Sequence, residues 1–182
     1  ICMKENDGGK TTYKYDKIGN VINKMLPGER KYRYTYDSAG RVLSEINPLN
    51  EETRYKYDAI GNLISTEYAD GNKEKSTYDA LGREVAFENK EGSVVKRSYD
   101  GMGNITSFTD AEGHTSSYLY NRRGDIFKEK NNRGAVTEYV YDKDGNLAKK
   151  IYPRAGTEKY KYDVQGNLLT EKNRSGAITT YD

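Results

Sequence analysis

Tryptophan is absent from these 182 residues, and cysteine and histidine occur once each. A lone Cys2 cannot close an internal disulfide and says nothing about redox compartment. Large aliphatic and phenylalanine side chains are also scarce: Leu, Ile, Val and Phe together number 30. No apolar run approaches the 18 or so residues of a membrane-spanning helix, so none is expected. Neither sign of charge dominates, with 30 Lys and Arg against 28 Asp and Glu for a net +2. That balance removes a general electrostatic drive toward nucleic acid. It also spares the chain the disorder that low hydrophobicity brings when net charge is high. Ile1-Cys2-Met3-Lys4 is neither a signal peptide nor a natural start, and predicts a segment excised from a longer protein.

What the chain has instead is tyrosine and glycine, 18 of each. A tyrosine ring buries as a phenylalanine does while its hydroxyl stays bonded, so tyrosine can carry an ordered fold. Eight tyrosines fall 21 residues apart: Tyr15, Tyr36, Tyr57, Tyr78, Tyr99, Tyr120, Tyr141 and Tyr162. After them come Asp16, Asp37, Asp58, Asp79, Asp100, Asn121, Asp142 and Asp163, then Gly19, Gly40, Gly61, Gly82, Gly103, Gly124, Gly145 and Gly166. A second tyrosine stands two residues earlier, except at Ser76 and Arg97. Ten residues beyond each glycine lies a second turn, at Asn50, Gly71, Gly92, Gly113, Gly134 and Gly176; Glu29 and Ala155 depart, with Gly28 and Gly156 one residue away. A fixed 21-residue period means a repeat architecture. The register assigns 1–14 to a partial repeat and 15–182 to eight repeats, the last ending just before the next would start.

Each repeat reads as a β-hairpin. In Thr53-Arg54-Tyr55-Lys56-Tyr57 aromatic and charged residues alternate, which predicts tyrosines on one sheet face and charges on the other. The Asp-x-x-Gly tetrad suits a type I turn and a following left-handed residue. Asn121 in the aspartate column predicts that Asp58→Asn is tolerated. The return strand, as in Arg41-Val42-Leu43 or Asn62-Leu63-Ile64, alternates poorly: two adjacent apolar columns leave open which one faces inward, and Glu84 in the first points to the second in at least that repeat. Two strands per repeat predict about sixteen antiparallel strands, more than an open sheet sustains without curling.

Tyr34-Thr35-Tyr36-Asp37-Ser38-Ala39-Gly40-Arg41-Val42, repeated in register, resembles the tyrosine-aspartate (YD) repeats of the Rhs family, shared with shell proteins of insecticidal toxin complexes, wall-associated proteins and teneurins. The resemblance implies an all-β strip of tandem hairpins spiralling into part of a hollow shell or barrel. It implies a secreted or cell-surface protein, bacterial by these relatives, whose shell encloses a C-terminal toxin or other cargo. Its partners would be flanking YD repeats or that enclosed domain. The Asp-Pro mark of the family's self-cleaving segment is absent, since the three prolines follow Leu26, Asn47 and Tyr152.

Chemistry is hard to place on this pattern. Calcium takes six or more oxygens, whereas each repeat offers one recurring aspartate, and Asn121 lacks the charge. His114 adjoins a turn glycine with no nucleophile at a recurring spacing, and Cys2 lies in the terminal partial repeat. No catalytic residue, metal site or cofactor is therefore assigned, and the chain is read as non-enzymatic. The alternative to a shell wall is an adhesion module whose tyrosines stack on glycans, and unsatisfied sheet edges or faces also predict self-association.

Overall fold

The computed structural model describes residues 2–4 as backbone and 10–181 in full, and within them there is no helix. They group into two compact units, Ile1–Val94 and Val95–Asp182. The first carries β1 (Cys2–Lys4), β2 (Lys10–Tyr15), β3 (Val21–Leu26), β4 (Arg30–Tyr36), β5 (Val42–Ile46), β6 (Glu52–Tyr57), β7 (Leu63–Glu67), β8 (Lys73–Tyr78) and β9 (Glu84–Glu88). The second carries β10 (Val94–Tyr99, whose first residue belongs to the first unit), β11 (Ile105–Thr109), β12 (Thr115–Tyr120), β13 (Ile126–Lys130), β14 (Val136–Tyr141), β15 (Leu147–Ile151), β16 (Thr157–Tyr162), β17 (Leu168–Lys172) and β18 (Ile178–Thr180). Among the described residues eighteen strands appear where two per repeat predict about sixteen, because the partial repeat 1–14 contributes β1 and most of β2.

Each unit is an antiparallel meander in which consecutive strands pair and, among the described residues, touch only their neighbours in sequence. The consequence shows in burial: among the described residues no hydrophobic side chain is buried, and only Thr11, Ser44 and Thr66 are. Apart from Tyr15 and Tyr181, which are exposed, the tyrosines are half-buried in rows, held by cross-strand neighbours within the sheet.

The poor alternation of the return strands has a structural cause. Lys14 pairs with Asn23 but Tyr15 with Val21, so Ile22 is an extra residue on the returning strand. The same shift recurs at Thr35/Tyr36, Lys56/Tyr57, Thr77/Tyr78, Leu119/Tyr120, Val140/Tyr141 and Lys161/Tyr162. A bulge places two successive residues opposite one, which breaks the period of two. The first apolar residue shares the tyrosine face; the second turns away, leaving Leu43, Phe127 and Leu169 exposed. In the repeat of Glu84 the second column is Val85, which is half-buried. Glu84 stays on the tyrosine face because Ser76, standing where a tyrosine is usual, donates its hydroxyl to it at 2.9 Å.

Separation of tyrosines from charges also fails. The return strand sets Glu45, Glu129 and Glu171 directly opposite Tyr34, Tyr118 and Tyr160, on the same face. Lys150 lies over both Tyr139 and Tyr152, at 5.4 and 4.9 Å from the ring centres. The amphipathic strand was visible in its own residues, but its face is completed by a partner strand of different composition.

Candidate functional site

The recurring site is the seam between one repeat and the next. At its centre each Asp-x-x-Gly tetrad makes a closed turn. In the third, the Asp58 amide donates to Asn62 O at 3.0 Å and the Gly61 amide to Asp58 O at 3.2 Å. Asp58 Oδ1 accepts the amides of Ile60, Gly61 and Asn62, and Oδ2 accepts the Asn62 side-chain amide at 2.8 Å. Gly61 sits at φ 102°, and a Cβ there would lie 3.4 Å from Arg41 Nη1 of the preceding repeat. The conformation selects glycine, while the arginine end beside it could give way.

Those donated bonds set the acidity of the column. For Asp37 and Asp79 the backbone amides of Arg41 and Arg83 lead in holding the carboxyl below its usual value. For Asp100 and Asp163 the carboxamides of Asn104 and Asn167 lead or share that role with the backbone. For Asp16, Asp58 and Asp142 desolvation pushes upward, and the summed hydrogen bonds outweigh it.

Asn121 works by a different arrangement from simple tolerance. Its Oδ1 accepts the amides of Arg123 and Asp125, while its Nδ2 donates to Asp125 Oδ2 at 2.9 Å. Asp and Asn have exchanged places, so the bond survives with donor and acceptor reversed. Asn121 alone therefore gives no licence for Asp58→Asn.

The tyrosine that precedes each aspartate links repeats. Tyr36 donates its hydroxyl to Val21 O at 2.9 Å, Tyr78 to Leu63 O at 3.0 Å, Tyr120 to Ile105 O, Tyr141 to Ile126 O and Tyr162 to Leu147 O, each across 15 residues. The accepting carbonyl belongs to the residue where the bulge interrupts pairing, so the hydroxyl satisfies a backbone group near the interrupted ladder. Tyr57 lies instead beneath the Arg41 guanidinium, 4.9 Å from its ring centre. Tyr15 and Tyr99 occupy the same register at the ends of β2 and β10. Arg41 and Arg83 bind their own turn aspartates at 2.6 and 2.7 Å, and Arg41 Nη1 reaches on to Asp58 O of the next turn.

The second turns repeat the first more closely than their glycines alone indicate. Asn47, Asn89, Asn131 and Asn173 each cap a turn with Oδ1, and Asp110 accepts the His114 amide in the same way. The signal was available: each stands three residues before the turn residue, the spacing already read in the Asp-x-x-Gly tetrads. Gly156 takes the positive φ in the loop where Ala155 holds the glycine column, and both Gly28 and Glu29 take it in the first loop.

Among the described residues, Asp110, Glu112 and His114 bring possible ligand atoms within 4.8 Å of one another. Asp110 Oδ2 lies 3.3 Å from His114 Nδ1 and its Oδ1 already caps the turn, while Glu112 and His114 face solvent. These are the contacts of a capped turn. Side chains 2–9, Cys2 included, lie outside the described residues. No helix among the described residues is long and apolar enough to cross a membrane.

Turn, bulge and tyrosine recur together across the region where a family model for the teneurin YD-shell matches residues 44–181. The chain belongs to the teneurin YD-shell family. A second model, the RHS repeat, matches 15–52. The curated proteins return no match. Among solved structures, the YD-shell segment is similar to a chain in a crystal structure of TcdB2-TccC3, with TM-score 0.64 and 16% identity over 94% of this chain. It is also similar to one in a Photorhabdus luminescens Tc holotoxin pore, with TM-score 0.57 and 13% identity over 93%. At these identities the likeness shows the fold. The segment spans only 11% and 12% of those two chains.

Proposed function

We propose that this YD-shell segment is a non-catalytic piece of wall, in which the partial repeat 1–14 and the eight repeats 15–182 act as a single array. The array joins flanking repeats of the same polypeptide and encloses a C-terminal toxin or other polypeptide cargo in a secreted or cell-surface protein. One observation carries the reading: every described connection is a tight turn tied to its own hairpin, with no insertion long enough to build a binding loop or active site. The hydroxyls of Tyr36, Tyr78, Tyr139 and Tyr152, among others, are spent on backbone and carboxylate partners, which supports a wall over a sugar-stacking surface. Names of the solved neighbours, a holotoxin pore among them, agree with a toxin-associated shell.

The test is protease protection in the full-length parent. A tag at the extreme C-terminus should resist digestion in the intact protein and become sensitive when residues 15–182 are deleted. Equal sensitivity in both would overturn the enclosure.

A further inference from the structure

The face of the second unit opposite the tyrosines carries a charge arrangement that the corresponding register of β5 to β9 does not repeat. From β12 to β17 this face presents Lys128, Lys130, Lys149, Lys159, Lys161 and Lys172. Its one carboxylate, Glu138, is already paired with Lys128 at 2.9 Å. Lys149 is directly opposite Lys159, and Lys159 directly opposite Lys172, making three like charges abreast across β15, β16 and β17. Like charges in directly opposed positions destabilise a sheet.

In the corresponding register of the first unit the signs alternate. Arg54 is opposite Glu67, and Lys75 is opposite Glu88 with an ion pair at 3.0 Å. The place of Lys149 is taken there by Ser44 and Ser65, opposite Arg54 and Lys75. Repulsion in the second unit is therefore a departure within one repeat pattern and not a property of the fold.

Apolar side chains lie among these lysines: Leu119, Val140, Leu169 and Phe127 are all exposed, Leu119 at 52%. We propose that this face docks an acidic, apolar-bearing polypeptide segment, whose carboxylates lie along the lysine row and whose aliphatic side chains cover Leu119, Phe127 and Val140. Charge complementarity selects an anion. The chemistry of the face selects among anions: it has no arginine for bidentate phosphate contacts, and its single aromatic, Phe127, is no platform for stacked bases. Interleaved apolar groups suit a chain that carries both kinds of side chain. This inference stands apart from the shell reading, since it concerns one face of β12 to β17 whether or not the parent encloses anything.

Fluorescence anisotropy with the full chain and a labelled twelve-residue peptide of alternating Glu and Leu tests it. Binding is expected at 50 mM salt and at least tenfold weaker at 300 mM, since screening lengths shorten with ionic strength. Lys172→Glu sets opposite signs across β16 and β17, as Lys75 and Glu88 do across β8 and β9; it should cut affinity at least tenfold and raise the low-salt melting temperature. Lys159→Gln, which keeps the aliphatic stem, should also weaken binding, and Lys75→Gln in the first unit should leave it unchanged. Binding that ignores salt, or that survives both Lys172→Glu and Lys159→Gln in chains of unchanged circular dichroism, overturns the proposal. So does tighter binding of oligothymidylate, a sulfated polysaccharide or phosphatidylserine vesicles than of the peptide.

Discussion

A side-chain hydrogen bond has a direction, and the turn columns show how a change in one member must be answered by the other. Asp58→Asn removes the carboxylate acceptor and turns a side-chain amide toward Asn62, which must rotate its own carboxamide to offer Oδ1. Asn62→Asp alone sets acceptor against acceptor. The double variant reproduces the Asn121 and Asp125 arrangement. We expect each single variant to lose about 1 kcal/mol, as for a typical hydrogen bond, and the pair to recover most of it in a double-mutant cycle read by thermal melts. Additive losses would show that the exchange is incidental. Acidity depends on the same bonds. The folded aspartates of the column sit below their usual value, so their stabilisation is complete above it and is lost as pH falls through the lowered values. Tyrosines behave in the opposite sense: Glu74 accepts from Tyr68 and pushes it up to about 12, and desolvation raises Tyr141 and Tyr162. Their stabilisation is complete below pH 10 and is lost as pH rises through the raised values. The melting temperature should hold level from about pH 5 to 9 and fall on both sides; a continuous slope across that window would contradict the assignment.

At the level of the hairpin, the informative element is β8, where Ser76 replaces the first tyrosine. Its partner across the sheet is Phe87, and a cleft of about 90 Å³ opens there between Leu63, Thr66, Ser76, Tyr78 and Phe87. Ser76→Tyr fills that cleft and adds a cross-strand aromatic pair, a contribution of about 0.5–1 kcal/mol. The melting temperature should rise; a fall would mean that the Ser76 to Glu84 bond outweighs the packing. Sequence legibility divides along the same line. Hairpins, turn tetrads and the 21-residue period were readable because each is local and repeats at fixed spacing. The bulge was not, since an extra residue such as Leu43 or Ile64 looks like an ordinary apolar position until its partner strand is known. Nor were the tyrosine links, whose acceptors are carbonyls and leave no side-chain signature at a distance of 15 residues. Ser76 and Glu84 looked like two independent departures, yet they answer one another across the hairpin.

At the scale of the two units, meanders with no buried hydrophobic side chain among the described residues must draw their stability from in-plane pairing and half-covered tyrosine rows. Unfolding should expose little new apolar surface. Calorimetry is expected to give a heat-capacity change below the usual ~12–15 cal/mol/K per residue, and a value at or above that range would mean that covered apolar area is larger than the sheet displays. The restriction of contacts to sequence neighbours has a further consequence, in time. A hairpin needs only the strand just made, so nothing in these units waits for a distant segment before it can close. Ribosomes add about 5–20 residues per second, giving each 21-residue repeat one to a few seconds, whereas hairpins form in roughly 1–10 μs. Each unit is therefore built to fold vectorially, each hairpin docking on the last as it emerges, with the finished end serving as template for the next while synthesis continues.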